Sequence, residues 1–448
     1  MKIKLFKPIL ITMSALLTTF CAIGQTQKTN AFTLKEAQDF AVSNSYKTRT
    51  ASLDVLATSA QKNQYISIGL PQVNGSMNYQ YYINIPTQII PNFINPALPD
   101  MELKFGTKNN LNGTINASQL IFDGSFIFGV EAAKMLVNMS KTQKTKTDID
   151  VIETVAQAYY LILIQQQSIM VVDSIITTMS KTLEETKQFQ KNGFLENTDV
   201  DQMEVMLMNL KNNQETFHRN LELSSNLLKF QMGLDINEQI VLTTTIDELL
   251  TQAIGSNLYE KPFDYKNHID YQLMKTNNGL LRQSVKVDAS KYYPSLAAFF
   301  TNQTVAQRDK FNFFNDGKWY NTTIVGVGLQ IPIWSSGNRY YKLQQSKLNL
   351  KKNDIQLKQV QQGLEMDVIN SRSSMKTYIF QYESDSKSIQ LSKRIYNKNL
   401  IKYKEGVASS LDLNNAYNQY LQSLNSYYTN IMNLLNSYSK LKKALNNY

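Results

Sequence analysis

One cysteine, two histidines and no glycine-rich phosphate loop leave this 448-residue chain with little of the equipment that catalysis uses. The cysteine, Cys21, falls at the end of an apolar run, Ile9 to Phe20, that follows Lys2, Lys4 and Lys7, and the segment reads as a cleaved secretory signal over residues 1–24. Small residues at Ala22 and Gly24 suit a cut before Gln25. Lipidation at Cys21 is the weaker reading, because it would want a small residue where Phe20 stands. Without Cys21 there is no disulfide, no thiol nucleophile and no thiolate metal site, so stability must come from packing and assembly. His218 and His268 fall in different helical segments without metal-ligand spacing, and neither a Ser-His-Asp order nor a nucleophile elbow is visible. The expectation is a protein that is not an enzyme and needs no cofactor or metal.

Proline (9) and glycine (17) are scarce, and the polar residues are mostly Gln, Asn, Lys, Ser and Thr, as in long solvated helices. No segment after the signal offers the run of roughly 20 apolar residues that a spanning helix requires. The nearest, Ala158 to Ile164, is cut short by Gln165, Gln166 and Gln167. If the chain crosses a membrane, it must do so with strands. The net charge is +10, but the lysines are scattered along helical stretches rather than gathered with aromatics, which excludes nucleic acid as a partner.

What the chain has is a repeat. Thr33-Leu34-Lys35-Glu36-Ala37 recurs as Thr245-Ile246-Asp247-Glu248-Leu249. Gly69 to Val73 is echoed by Tyr292 to Leu296, and Leu120 to Gly124 by Pro332 to Gly337. Gly193, Asn197, Asp199 and Val200 are matched, at one constant spacing, by Gly406, Ser410, Asp412 and Leu413. The division is therefore repeat one over 25–232 and repeat two over 233–448, with an insertion at about 233–262 that packs sideways on the main body. Each copy reads as a helix, two strands, a very long helix and a return helix. The first helix is expected from about Thr33 to Tyr65 and its counterpart from about Phe263 to Lys291.

The strands alternate with period two. Val73, Met77, Tyr79 and Tyr81 oppose Gln72, Asn74, Ser76, Asn78 and Gln80. Leu111, Ile115, Ala117 and Ile121 oppose Asn112, Thr114, Asn116 and Ser118, and Val325, Val327, Leu329, Ile331 and Ile333 oppose Gly326, Gly328 and Gln330. Ser295 to Gln303 is the least regular. Aromatic residues flank these runs, with Phe122, Tyr292, Tyr293 and Trp334 on the helix side and Tyr81, Tyr82, Trp319 and Tyr320 on the loop side. Two girdles around an apolar band is a membrane-barrel pattern, and strands of about ten residues suit a tilted crossing. A twisted sheet with one face under helices would show the same alternation. Four strands are too few to close, and an open edge is not tolerated in hydrocarbon, so the strands must be pooled with those of identical neighbours. The proline-bearing loop Ile83 to Lys108 and the loop Ala306 to Lys318 form a passive outer lip.

From Gly124 to about Phe189, and again from Gly337 to about Tyr403, no proline appears. Helices of that length reach on the order of 100 Å. In the last return helix Tyr417, Leu424, Ile431, Tyr438 and Leu445 recur every seventh residue, with Leu421, Tyr428 and Leu435 between them, as in a coiled coil.

The signal, the duplicated helix-strand-strand-helix unit and the paired Gly-x-x-x-x-x-Asp turns together resemble the TolC family of outer-membrane efflux ducts, over about Ala31 to Tyr448. The resemblance implies an α+β membrane protein, a homotrimer whose twelve pooled strands form one transmembrane β-barrel in outer-membrane lipid, continued into the periplasm by an antiparallel α-helical coiled-coil tunnel. It also implies two partners, a periplasmic adaptor of the membrane fusion type and an inner-membrane pump of the RND or ABC type. Thr198 and Asp199 match the family's Thr-Asp at the first inner turn, Tyr403 the tyrosine that helps hold the entrance closed, and Asp412 an acid that lines the constriction. Gly193, Gly406 and Val407 fall at the turns that meet the adaptor, and Val73, Met77, Leu111, Ile115, Val325 and Val327 at lipid-facing strand positions. Ala408 stands where well-known members have arginine and Asn415 where they have a second aspartate, so the closed state rests on fewer charge-assisted bonds. The reading of a different class is a periplasmic or surface coiled-coil protein, structural or adhesive, with the strands as a soluble cap.

Overall fold

The computed structural model describes residues 30–91, 100–315 and 317–446. The signal segment 1–24, with Cys21, and Pro96 and Pro99 of the first outer loop lie outside the described residues.

Strand β1 (Asn30–Phe32) leads into α1 (Leu34–Asn44), opened by a capping box in which Thr33 and Glu36 satisfy each other's backbone amides. The expected single helix to Tyr65 is broken at Ser45, whose extended backbone (ψ 148°) ends α1 while its hydroxyl accepts from Thr48 N and starts α2 (Tyr46–Ser67). Then come β2 (Gln72–Tyr81), a short hairpin β3–β4 (Thr87–Ile90, Met101–Lys104), β5 (Asn109–Phe122), the 68-residue α3 (Gly124–Lys191) and the return helix α4 (Asn197–Met232). The hairpin was not expected from the proline-rich loop sequence.

After β6 (Ile240–Leu242) and α5 (Ile246–Gly255), the order helix, strand, strand, long helix, return helix recurs as α6 (Ile269–Ser290), β7 (Ser295–Arg308), β8 (Tyr320–Gln330), α7 (Asn338–Lys404) and α8 (Ser410–Ala444). Helix α6 begins later than Phe263 because single 3-10 turns at Leu258–Glu260 and Tyr265–Asn267 precede it and His268 caps it, its Nδ1 accepting from Asp270 N at 3.2 Å. Ile331 and Ile333 lie beyond β8, which ends before Pro332.

The insertion packs against the waist of the helices. Strand β6 pairs with β1 in parallel, Asn30 beside Ile240 and Phe32 beside Leu242. Fully buried Tyr159 of α3 locks this clasp, its hydroxyl donating to Phe32 O at 2.9 Å and accepting from Thr244 N at 3.1 Å. Around it lies the larger core cluster, with Ile162, Leu228, Met232, Leu249, Met375, Leu434 and Leu435. The second cluster runs toward the far ends of the helices through Val172, Met179, Met203, Leu210, Leu413, Tyr417 and Tyr420. Each fully buried side chain of this size contributes about 1.5–3 kcal/mol. Tyr396 stacks on Tyr420 with centroids 5.7 Å apart, and burial pushes its hydroxyl up to about 12. Against the sequence expectation, one 18-residue window of α3 is apolar enough for a membrane span by composition. The apolar stretch containing Val155, Ala156, Tyr159, Ile162 and Ile164 is instead the buried middle of the protein.

Strands β2, β5, β7 and β8 form one antiparallel sheet in the order β2-β5-β7-β8. Among the described residues no helix packs across either face of it, and every residue of β2 is exposed. Its edges, β2 and β8, are both open.

The register joins residues far apart in sequence onto one face. Val73 lies opposite Ala117, Ala117 opposite Phe300 and Phe300 opposite Val325, while Tyr79 lies opposite Leu111 and Ala298 opposite Val327. Directly paired residues share a face, so Val73, Met77, Leu111, Ile115, Val325 and Val327 all lie on the same side; Val325 is 76% exposed and Met77 72%. The other side carries Gln72, Asn74, Asn78, Asn112, Thr114, Asn116, Thr301 and Gln303. A bulge between Leu120 and Phe122 shifts the pairing so that Phe122, opposite Leu296, joins the apolar face. Tyr320, expected in the loop-side girdle, lies opposite Val305 on the polar face.

Candidate functional site at the helix tips

Two turns end the long helices, and they are built alike. In the first, Gly193 takes a left-handed backbone (φ +78°), Gly193 N donates to Gln190 O and Phe194 N to Phe189 O. In the second, Gly406 (φ +73°) repeats this, with Gly406 N donating to Tyr403 O and Val407 N to Lys402 O. A side chain at either glycine would be strained by about 1–2 kcal/mol, which explains the matched glycines. Phe194 and Val407 stand at equivalent points and are the most exposed apolar side chains of the two turns, at 76% and 73%. Phe194 escaped the sequence reading, although its spacing to Val407 equals that of Gly193 to Gly406.

Each return helix is opened by a capping residue. Asn197 and Ser410 are the first helical residues, and the caps are Glu196 and Ser409. Asp412 accepts from Ser409 N at 3.1 Å and from its hydroxyl at 2.7 Å. These bonds hold the exposed Asp412 carboxyl below the usual carboxylate range, so it is ionised at neutral pH. Asp199 accepts from Glu196 N at 3.3 Å, and Thr198 donates to the Glu196 carboxylate at 3.2 Å. Asn415 lies one turn beyond Asp412, also exposed.

Side chains tie the two tips together. Thr186 donates to Thr182 O, which leaves the Tyr403 hydroxyl as donor to Thr186 Oγ1 at 3.1 Å, linking α7 to α3. Burial pushes the Tyr403 hydroxyl up, so it stays protonated. Lys404 pairs with Glu185 at 2.7 Å beside it. Ser410 links α8 to α4, its hydroxyl 2.6 Å from Asp199 Oδ1 and 2.7 Å from Gln202 Oε1. Tyr403, Asp199 and Ser410 thus meet across the tips, whereas Asp412, Asn415 and Thr198 point to solvent. Thr186 and Gln202, inside regular helices, carried no sequence signal for this role.

The second repeat, residues 273–447, matches the family model described as "Outer membrane efflux protein". The match covers 175 of the chain's 448 residues, so the likeness to that family is one of its second half. Outer membrane protein TolC of Vibrio cholerae is 23% identical to it over 230 residues, 51% of this chain and 52% of that protein, so the match spans about half the length of that relative. Among solved structures, CusC superposes with a TM-score of 0.72 at 14% identity, covering 92% of this chain and 91% of that one. The Campylobacter jejuni CmeC outer membrane channel gives 0.71 at 18% identity, covering 92% and 85%. VceC of Vibrio cholerae gives 0.68 at 15%, covering 92% and 95%. These likenesses show the fold, long paired helices joined to a four-stranded sheet, to be the one those solved outer-membrane proteins have.

Proposed function

We propose that this chain is the exit duct of an export system. After removal of 1–24, three copies pool the strands of repeats 25–232 and 233–448 into one twelve-stranded barrel continued by a periplasmic tunnel. The observation that carries this reading is the sheet β2-β5-β7-β8, which, among the described residues, has two open edges, no helix on either face and one side on which the register gathers apolar side chains from all four strands. In lipid the open edges must be paired. Its four strands alternate in direction, so β8 of one copy runs antiparallel to β2 of the next and any number of copies closes evenly. The helices give further support. Leu348, Ile355 and Ile369 are exposed along α7 at multiples of seven residues, and Leu53 and Leu56 along α2, as apolar seams for neighbouring copies.

In this assembly Tyr403, Thr198, Asp199, Asp412 and Asn415 surround the inner entrance. Gly193 and Gly406 hold up Phe194 and Val407 as contacts for a periplasmic adaptor, which joins the duct to an RND- or ABC-type pump. The duct conducts small molecules or polypeptides passively, driven by that pump. Membrane fractionation tests the core of the reading. The expected result is outer-membrane protein running as a heat-sensitive trimer on gels; a soluble monomer sinks it.

A further inference from the structure

The polar side of the sheet is not uniform: Leu120, Phe299, Val305, Tyr320 and Ile324 also lie on it. Its paired β2 and β5 positions, Gln72, Asn74, Ser76, Asn78 and Gln80 beside Asn110, Asn112, Thr114, Asn116 and Ser118, are carboxamides and hydroxyls throughout. On β7 and β8 the same side carries Phe299, opposite Ser118 on one flank and Gly326 on the other. The tip of the Phe299 ring lies over Gly326, so close that a Cβ there would stand 2.4 Å from Phe299 Cζ. Gly326 has no positive φ and sits mid-strand, where glycine weakens a sheet. Room for the ring is what this glycine supplies. Ile324, diagonal to Phe299 on the same side, extends the apolar patch, and Phe299 remains 41% exposed. No charged side chain lies on this side of any of the four strands.

From this, and resting on the duct reading above, we propose that Phe299, seated on Gly326, is a cargo-contacting residue of an uncharged, largely amide-lined lumen, so that the barrel discriminates by apolar character and not by charge sign. Rings of charged side chains are what give a pore ion selectivity, and the strands supply none. Three symmetry-related rings about five residues above the tunnel junction form a collar on which an aromatic or aliphatic part of a cargo stacks, while the amides hydrogen-bond its polar part as donor or acceptor. The cargo class this suits is amphipathic and of either charge.

The test uses the full-length trimer in planar bilayers, with benzyltrimethylammonium and benzenesulfonate added from the loop side as ring-bearing probes of opposite charge. Both are expected to block the current. Phe299→Ala should weaken both by roughly three- to tenfold, the weight of one aromatic contact, and Phe299→Leu by less. Block by only one probe, or block unchanged in both variants, overturns the inference. Variants are compared only where the heat-sensitive trimer forms, and absence of any channel in the parent protein counts against the duct itself rather than against the collar.

Discussion

At the start of α6 the ring of His268 is buried, with Nδ1 accepting from Asp270 N and a further bond to the backbone of Lys443 near the end of α8. Burial lowers its pKa, outweighing the attraction of Asp270 and Asp367, with Lys146 adding to the depression. The folded protein therefore holds the neutral ring while the unfolded chain takes up a proton near pH 6.5. The stabilisation is complete above that value and is lost as pH falls through the folded pKa, by about 1.4 kcal/mol per unit of depression. Protonation also removes the Nδ1 lone pair that caps the helix. Thermal melts between about pH 7.5 and 5 should fall more steeply for the parent than for His268→Asn, which keeps a capping acceptor without titrating. Parallel curves for the two proteins would remove His268 from the account.

At the scale of the strand, charge tolerance should differ between the two faces of one sheet. Val325→Lys puts an ammonium on the apolar side, where about 2–4 kcal/mol is lost at mid-membrane, while Asn112→Lys on the polar side should leave the trimer band intact. Equal loss of trimer in both variants would contradict the assignment of faces. Alternation made these faces legible in β2, β5 and β8. Strand β7 was obscure because Phe299 occupies a polar-side position, a choice that only Gly326 on the neighbouring strand explains. The break at Ser45 was illegible for a similar reason, since helical periodicity continues through it and a local cap decides it. At the tips the duplicated turn was readable as Gly193 beside Gly406. The Tyr403–Thr186 and Ser410–Asp199 links were not, because they join residues more than half a repeat apart whose meeting depends on the register of two long helix pairs.

In the whole assembly, a residue exposed in one copy acquires a role through symmetry. A single ionised Asp412 is a helix cap; in the proposed trimer, three around one axis would form an anionic ring that attracts multivalent cations. A trivalent cation applied from the tip side should block the bilayer current, and Asp412→Asn should raise the half-blocking concentration by about tenfold or more; an unchanged value would leave Asp412 as a cap alone. The β1–β6 clasp bears on how such a molecule comes to be. Asn30 meets Ile240, so the first pairing partner in the chain waits until the whole of repeat one and the start of the insertion have been delivered. The α3–α4 hairpin needs only local contacts, whereas the waist closes across a long intervening loop and closes late. Until then the Tyr159 hydroxyl lacks its Thr244 N donor, and the four helices and the strand pair of repeat one lack this seal. Delivery of the insertion, at the head of the second repeat, is thus the event that seals the waist of the first.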